Sequence, residues 1–134
     1  MSEKHYDVFV SYSREDKPWV SEFVSASRSG SAQAWFDVAD VEPGENWQDK
    51  IQEALRESTT LVIILSPNSV DTPRTFFEIG AAVAGKKRII PVLLEDVDMR
   101  QVPAPLRKFQ ALRGSSPTEA GRRVAEILEN AAMH

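Results

Sequence analysis

The sequence contains no cysteine and only two histidines, His5 and His134, which stand near its two ends. The missing cysteines exclude disulfide frameworks, cysteine-ligated zinc, iron–sulfur clusters and thiol catalysis. Two terminal histidines argue against a histidine-based triad or metal site. A chain without cysteine is compatible with a reducing compartment, and we expect a cytoplasmic protein. Any chemistry must therefore use carboxylates, hydroxyls, basic side chains and aromatic rings.

Long hydrophobic runs are also missing. The longest uninterrupted apolar run is residues 61–65, far shorter than the roughly 20 residues of a membrane-spanning helix. Residues 1–7 are polar and lack the apolar centre of a secretory signal, so we expect a soluble protein with no membrane partner. The 20 Asp and Glu outnumber the 16 Lys and Arg, which argues against direct nucleic-acid binding. The 134 residues have the length of one domain, and we predict a single domain over residues 1–134.

Strand-like and helix-like segments alternate along the chain about five times. We predict strands at residues 6–12, 34–36, 60–65, 88–94 and 109–112, with helices beginning near Asp16, Asn46, Pro73 and Pro117. This alternation predicts an α/β fold, a flavodoxin-like three-layer sandwich. Its five-stranded parallel sheet has the order 2-1-3-4-5, with helices on both faces. The ligand crevice of such a sheet lies beyond strands 1 and 3. No GxGxxG or P-loop signature is present.

Glu78 is the most informative candidate residue, because aromatic and aliphatic residues flank it on the helix that follows strand 3. If Glu78 is buried at the crevice, desolvation raises its pKa and strengthens its effect on a bound cation. Alternatively, Glu78 lies on an exposed strip of the helix and pairs with Arg74 at i, i+4. Local sequence leaves both interpretations open.

Other polar and aromatic side chains follow the predicted strands. Trp47 is either a stacking platform for a ligand ring or, more commonly for such a residue, a core anchor. Ser13 and Arg14 follow strand 1; arginine suits phosphate recognition, although a solvated loop arginine is commoner. Ser66 opens the polar loop after strand 3. Asp37 ends strand 2, where it either orients a ligand or begins a turn.

Six segments are distinctive in combination and order. They are YDVFVSYS (residues 6–13), WFD (35–37), VEPG (41–44), LVIILSP (61–67), FEIGAA (77–82) and IIPVLLE (89–95). This ordered set resembles the TIR domain family (Toll/interleukin-1 receptor and resistance protein), particularly its bacterial members. The resemblance covers about residues 5–130 and implies the same flavodoxin-like fold.

The resemblance implies cleavage of the nicotinamide–ribose bond of NAD⁺, as in many bacterial and plant members. NAD⁺ is then a substrate, and neither a cofactor nor a metal is expected. The product is an ADP-ribose-type signal, or NAD⁺ is depleted, in bacterial anti-phage immunity. The family's catalytic glutamate falls on Glu78. The predicted substrate contacts are Ser13, Arg14, Asp37, Trp47, Ser66, Arg74 and Phe77. The family often has Trp four residues before its glutamate, where this chain has Arg74.

The resemblance also implies self-association with other TIR domains. The loop after strand 2, residues 37–46, is then at the interface, and a sensor or effector partner lies outside these residues. Two alternatives remain open. One is a non-enzymatic TIR adaptor or scaffold, which Arg74 favours slightly. The other is a nucleoside 2-deoxyribosyltransferase-like enzyme, which uses a glutamate on a related fold.

Overall fold

The structure is a computed structural model that describes residues 8–27, 35–37, 44–114 and 116–132, with the backbone alone at 35–37 and 131–132. The strands are β1 (Val8–Ser11), β2 (Trp35–Asp37), β3 (Thr60–Leu65), β4 (Arg88–Leu94) and β5 (Leu112–Gly114). The α-helices are α1 (Lys17–Ser27), α2 (Trp47–Arg56), α3 (Pro73–Ala84) and α4 (Pro117–Ala132). Short 3-10 turns lie at Arg14–Asp16, Met99–Gln101 and Ala104–Leu106.

The described strands form one parallel sheet with the order β2-β1-β3-β4-β5, which confirms the predicted flavodoxin-like topology. All six residues of β3 are buried, as its continuous apolar run predicts for a strand covered on both faces. β1 and β3 are neighbours, with Ser11 opposite Ile63. Their carboxyl ends therefore meet at one edge of the sheet, where the chain order reverses.

Helices cover both faces of the sheet. Alternate residues of β3 point to opposite sides, because successive side chains of a strand do so. Val62 and Ile64 pack in one cluster with α1 and α4, whereas Leu61, Ile63 and Leu65 pack in another with α2 and α3. The two clusters are the two halves of a three-layer core.

Gly121 permits the close approach of α4 to α1. A Cβ atom built on Gly121 would lie 2.4 Å from the carbonyl oxygen of Phe23 and 2.8 Å from the Cβ of Ala26. Both distances are shorter than real Cβ atoms tolerate. A side chain at this position would therefore push the two helices apart.

Side-chain caps fix where α2 and α3 begin, as predicted. The side chain of Asn46 accepts hydrogen bonds from the backbone N–H groups of Gln48 (3.1 Å) and Asp49 (3.2 Å). Thr72 caps α3 by accepting from the N–H of Thr75 at 3.2 Å, and Pro73 occupies the first helical position. The start of α3 matters for the site, since it sets where Glu78 falls along the helix.

The last strand differs from the prediction. We predicted residues 109–112, but β5 is Leu112–Gly114, because Phe109 packs half-buried against the core from a loop. Pro91 is accommodated inside β4, because β5 pairs with β4 only from Val92 onward. Within the described ranges, no helix combines the length and apolarity that crossing a membrane requires.

Candidate active site

Glu78 lies on α3 with only 1% of its surface exposed. The hydroxyl of Ser11, the last residue of β1, donates a hydrogen bond to its Oε1 atom. Its Oε2 atom lies 3.7 Å from Nε of Arg74, one turn earlier on α3, and accepts no hydrogen bond from the part of the chain that is described. Both interpretations of the sequence therefore hold in part: the carboxylate is buried and Arg74 is beside it. One oxygen is held by the protein, while the other has capacity for a ligand donor.

Burial raises the pKa of Glu78 to about 7, because desolvation disfavours the charged carboxylate. The Ser11 hydroxyl and the Arg74 guanidinium oppose this rise. Among the described residues, two other carboxyl groups, Glu15 and Asp98, have shifted pKa values, and hydrogen bonds lower both. Near neutral pH, Glu78 is thus present in both its protonated and its ionised form, as suits a catalytic carboxyl.

The contribution of Glu78 to the free energy of unfolding is expected to fall as pH rises from 4.5, the ordinary pKa of glutamate, to about 7. In this window the unfolded chain has lost the Glu78 proton and the folded chain still holds it, so rising pH favours unfolding. Glu78→Gln lacks this titration. The difference in the free energy of unfolding between Glu78→Gln and wild type should grow in favour of the variant by up to about 3 kcal/mol across this pH window. Above the window it should stay constant.

Urea denaturation of both proteins between pH 4 and 8 measures this difference. Glu53→Gln, on the exposed surface of α2, is the matched control and should follow the wild-type profile. If the free energies of unfolding of Glu78→Gln and wild type changed in parallel with pH, the raised pKa of the buried Glu78 carboxyl would be contradicted.

A cleft of about 360 Å³ opens beside Glu78. One wall is residues 11–15, at the end of β1 and the turn after it. The other wall is formed by the loop after β3 and the start of α3, including Asn68, Ser69 and Thr72. The volume lies within the roughly 300–1,000 Å³ of small-molecule sites. The cleft is at the carboxyl ends of β1 and β3, where ligands bind in such sheets.

Three of the predicted contacts line this cleft together with Glu78. They are Ser13, Arg14 and Arg74. The Ser13 hydroxyl donates a hydrogen bond to the carboxylate of Glu15 on the same wall. The structure therefore brings these side chains together, and their contact with a substrate stays a prediction.

Trp47 and Phe77 contact each other instead. Their rings meet edge to face, with centroids 5.4 Å apart and an interplanar angle of 83°. Both are half-buried against the core cluster of α2 and α3, and neither is among the described residues that line the cleft. Phe77 is turned about 100° around α3 from Glu78, since a helix has 3.6 residues per turn. This packing is that of core anchors, and the ring-platform role stays a prediction.

Ser66 is not among the described residues that line the cleft, and the side chain of Asp37 is not described. Ser66 is buried, donates its hydroxyl hydrogen to Asp16 and accepts the backbone N–H of Asn68 at 3.1 Å. It supports the loop after β3. Asp37 ends β2 opposite Val10, but its side chain lies outside the described part of the chain, as do residues 38–43 of the predicted interface loop.

Sequence reasoning did not predict a place in the site for three hydroxyl residues of the second wall, Ser69, Thr72 and Thr75. Together with Ser66 they recur at intervals of three residues, which was the available signal. The Thr75 hydroxyl donates to the carbonyl oxygen of Ser69 at 2.6 Å and is buried. The repeat therefore joins the loop after β3 to the first turn of α3.

The fold and the cleft define an α/β domain with a buried carboxylate at the switch point of its sheet. A model of the TIR domain family matches residues 8–128, and the chain belongs to this family.

Curated relatives include "2' cyclic ADP-D-ribose synthase BtTIR" of Bacteroides thetaiotaomicron. It is 31% identical over 135 residues, which cover 95% of this chain and 45% of the relative. "NAD(+) hydrolase TcpC" of Escherichia coli is 29% identical over 133 residues, which cover 92% of this chain and 43% of the relative. The chain thus spans less than half the length of these relatives.

Among solved structures, the RPS4 and RRS1 TIR domain heterodimer matches with a TM-score of 0.66 at 15% identity. The match covers 96% of this chain and 99% of that one. It supports the fold.

Proposed function

We propose that this TIR domain cleaves the nicotinamide–ribose bond of NAD⁺. The observation that carries the proposal is the Glu78 carboxylate, buried beside a cleft with Oε1 held by Ser11 and Oε2 without a hydrogen bond from the described residues. Two relatives whose names state cyclic ADP-ribose synthesis and NAD⁺ hydrolysis support it.

A carboxylate in this position suits the cleavage of a nicotinamide glycoside. As the bond between the ribose C1′ and the nicotinamide nitrogen breaks, its electron pair leaves with nicotinamide, which becomes neutral. Positive oxocarbenium character develops on the ribose, and a nearby carboxylate stabilises that charge or attacks the carbon. A neutral leaving group needs no strong general acid. One glutamate can therefore serve without a histidine or cysteine.

The oxygens of Glu78 also suit the ribose itself. Oε2, which is buried and accepts no hydrogen bond from the described residues, can accept one from a ribose hydroxyl, and Arg14 and Arg74 on opposite walls suit the diphosphate. Attack by water on C1′ would give ADP-ribose and a proton, whereas attack by a ribose hydroxyl of the same molecule would give a cyclic ADP-ribose and a proton. Either product is an ADP-ribose-type signal, which we place in bacterial anti-phage immunity.

Release of nicotinamide from NAD⁺ by the concentrated protein tests the proposal. We expect release to rise with pH through a midpoint near 7, because the ionised form of Glu78 is the active one. Chromatography that resolves nicotinamide, ADP-ribose and cyclic isomers gives both the rate and the product. No release from the assembled protein would exclude the function.

The specific activity is expected to rise with protein concentration. We propose that a neighbouring TIR domain completes the site with its loop at residues 37–46, and the solved TIR domain heterodimer supports pairing within the family. Light scattering at the same concentrations measures the mass of the assembly. A specific activity that stays constant while the mass increases would contradict assembly-dependent catalysis.

An adaptor that acts only through TIR–TIR contacts is the second candidate function. Arg74 favours it, because its guanidinium occupies one cleft wall 3.7 Å from the carboxylate that would act on the ribose. Self-association that is unchanged in Glu78→Gln, together with no NAD⁺ turnover by wild type, would select this function.

A further inference from the structure

Asp16 connects the two walls of the cleft through side-chain hydrogen bonds. It ends the 3-10 turn after β1, is partly buried, and is absent from the described cleft lining. Its Oδ2 atom accepts the hydroxyl hydrogen of Ser66, and its Oδ1 atom accepts the side-chain amide of Asn68 at 3.1 Å. These partners lie 50 and 52 positions later in the chain. One carboxylate thus connects the segment after β1 with the loop after β3.

Further hydrogen bonds connect the loop after β3 with α3, the helix that carries Glu78. The backbone N–H of Ser66 donates to Oγ of Ser69 at 3.1 Å, and that hydroxyl donates to the carbonyl oxygen of Ile64 at 2.9 Å. The carbonyl oxygen of Ser69 in turn accepts the hydroxyl of Thr75. Thr75 lies three residues before Glu78, so both are on one face of α3 and both are buried. A continuous polar chain therefore runs from Asp16 to the turn that carries Glu78.

Two separate sets of hydrogen bonds therefore connect the same two walls of the cleft. Ser11 bonds directly to Glu78, inside the cleft, whereas Asp16 is absent from the described lining and bonds to Ser66 and to the wall residue Asn68. From this geometry we infer that Asp16 is a positioning residue, which fixes the separation of the cleft walls and thereby the place of the carboxylate opposite its substrate. The kinetic consequence rests on the proposed function, but the effect on the loop does not.

Asp16→Ala removes both acceptor oxygens and leaves the buried Ser66 hydroxyl and the Asn68 amide without them. The walls are then free to move apart, which weakens the binding of NAD⁺ and misplaces Glu78. We expect kcat/KM for nicotinamide release to fall about 100-fold, because displacements of about 1 Å have effects of this size. KM should rise as well, whereas a simple loss of folded protein would lower the apparent kcat alone.

Two variants calibrate this result. Asp16→Asn keeps one acceptor oxygen and should give an intermediate KM. Asp71→Ala removes an exposed carboxylate from the same loop after β3, outside the polar chain, and should retain the wild-type KM and kcat.

Amide hydrogen exchange provides a measurement that does not depend on catalysis. In Asp16→Ala, exchange at residues 66–76 should become about tenfold faster, while β3 and α1 keep their wild-type protection. Wild-type KM and exchange in Asp16→Ala, or a uniform increase of exchange over the whole chain, would overturn the inference. If wild type releases no nicotinamide but exchange responds as expected, the positioning of the loop stands and the proposed function fails.

Discussion

Glu78→Gln is expected to lower the rate of nicotinamide release about 10³-fold, the loss typical of removing a principal electrostatic contact to a transition state. The amide has nearly the shape of the carboxylate, and its oxygen can still accept the Ser11 hydroxyl. It has no charge to oppose the oxocarbenium character of the ribose. Rates are measured by chromatography of nicotinamide at saturating NAD⁺ and at pH 8, where the wild-type carboxylate is ionised.

The same substitution should not destabilise the fold. Since burying the ionised Glu78 is unfavourable, Glu78→Gln is expected to unfold at equal or higher urea concentration at pH 8. Loss of activity with retained stability separates a catalytic role from a structural one. Glu53→Gln controls for the loss of one surface charge and should retain full activity. Equal activity of Glu78→Gln and wild type would remove Glu78 from the mechanism.

Gly121→Ala is expected to destabilise the protein by about 3 kcal/mol, at the upper end of effects from overpacking. The new methyl group would meet the carbonyl oxygen of Phe23 at 2.4 Å and the Cβ of Ala26 at 2.8 Å. Neither atom is at the end of a flexible side chain, so α1 and α4 must separate. Urea denaturation with unfolding followed by circular dichroism measures the change.

Gly80→Ala is the matched control for the helical propensity of alanine. A Cβ at this position meets nothing within 4 Å, and Gly80 lies in the interior of α3. The free energy of unfolding should therefore increase by about 0.5–1 kcal/mol. A stability of Gly121→Ala equal to that of wild type would show that the crossing of α1 and α4 is looser than described.

The central strands could be predicted from the sequence, because a strand that is buried on both faces consists mostly of consecutive apolar residues. β3 contains the apolar run 61–65, and β4 is apolar over residues 89–94 with Pro91 in its centre; their observed bounds, Thr60–Leu65 and Arg88–Leu94, match the predicted ones. β5 is only three residues long. Because Phe109 is aromatic, the last strand was predicted to begin there, three residues before its observed start. A short edge strand buries too few residues to impose a pattern, so a single half-buried loop aromatic outweighs it.

The place of Glu78 beside the crevice could be predicted from the sequence, but its burial could not. An acid between aromatic and aliphatic residues of a helix can be buried or exposed, and the structure buries it. Trp47 and Phe77 contact each other, and their contact with a substrate stays a prediction. An aromatic side chain looks the same in sequence whether its partner is a ligand or another ring. Asp16 had no distinguishing signal, since its partners are 50 and 52 positions away.

The contact between Ser11 and Glu78 joins residues 67 positions apart in the chain. The chain must pair β1 with β3 and pack α3 before these two side chains meet, and such non-local pairing is a slow part of folding. A chain still emerging from the ribosome, or a partly folded one, therefore has no assembled site. Under the proposed function, cleavage of NAD⁺ is then expected only from a chain in which β1, β3 and α3 have already come together.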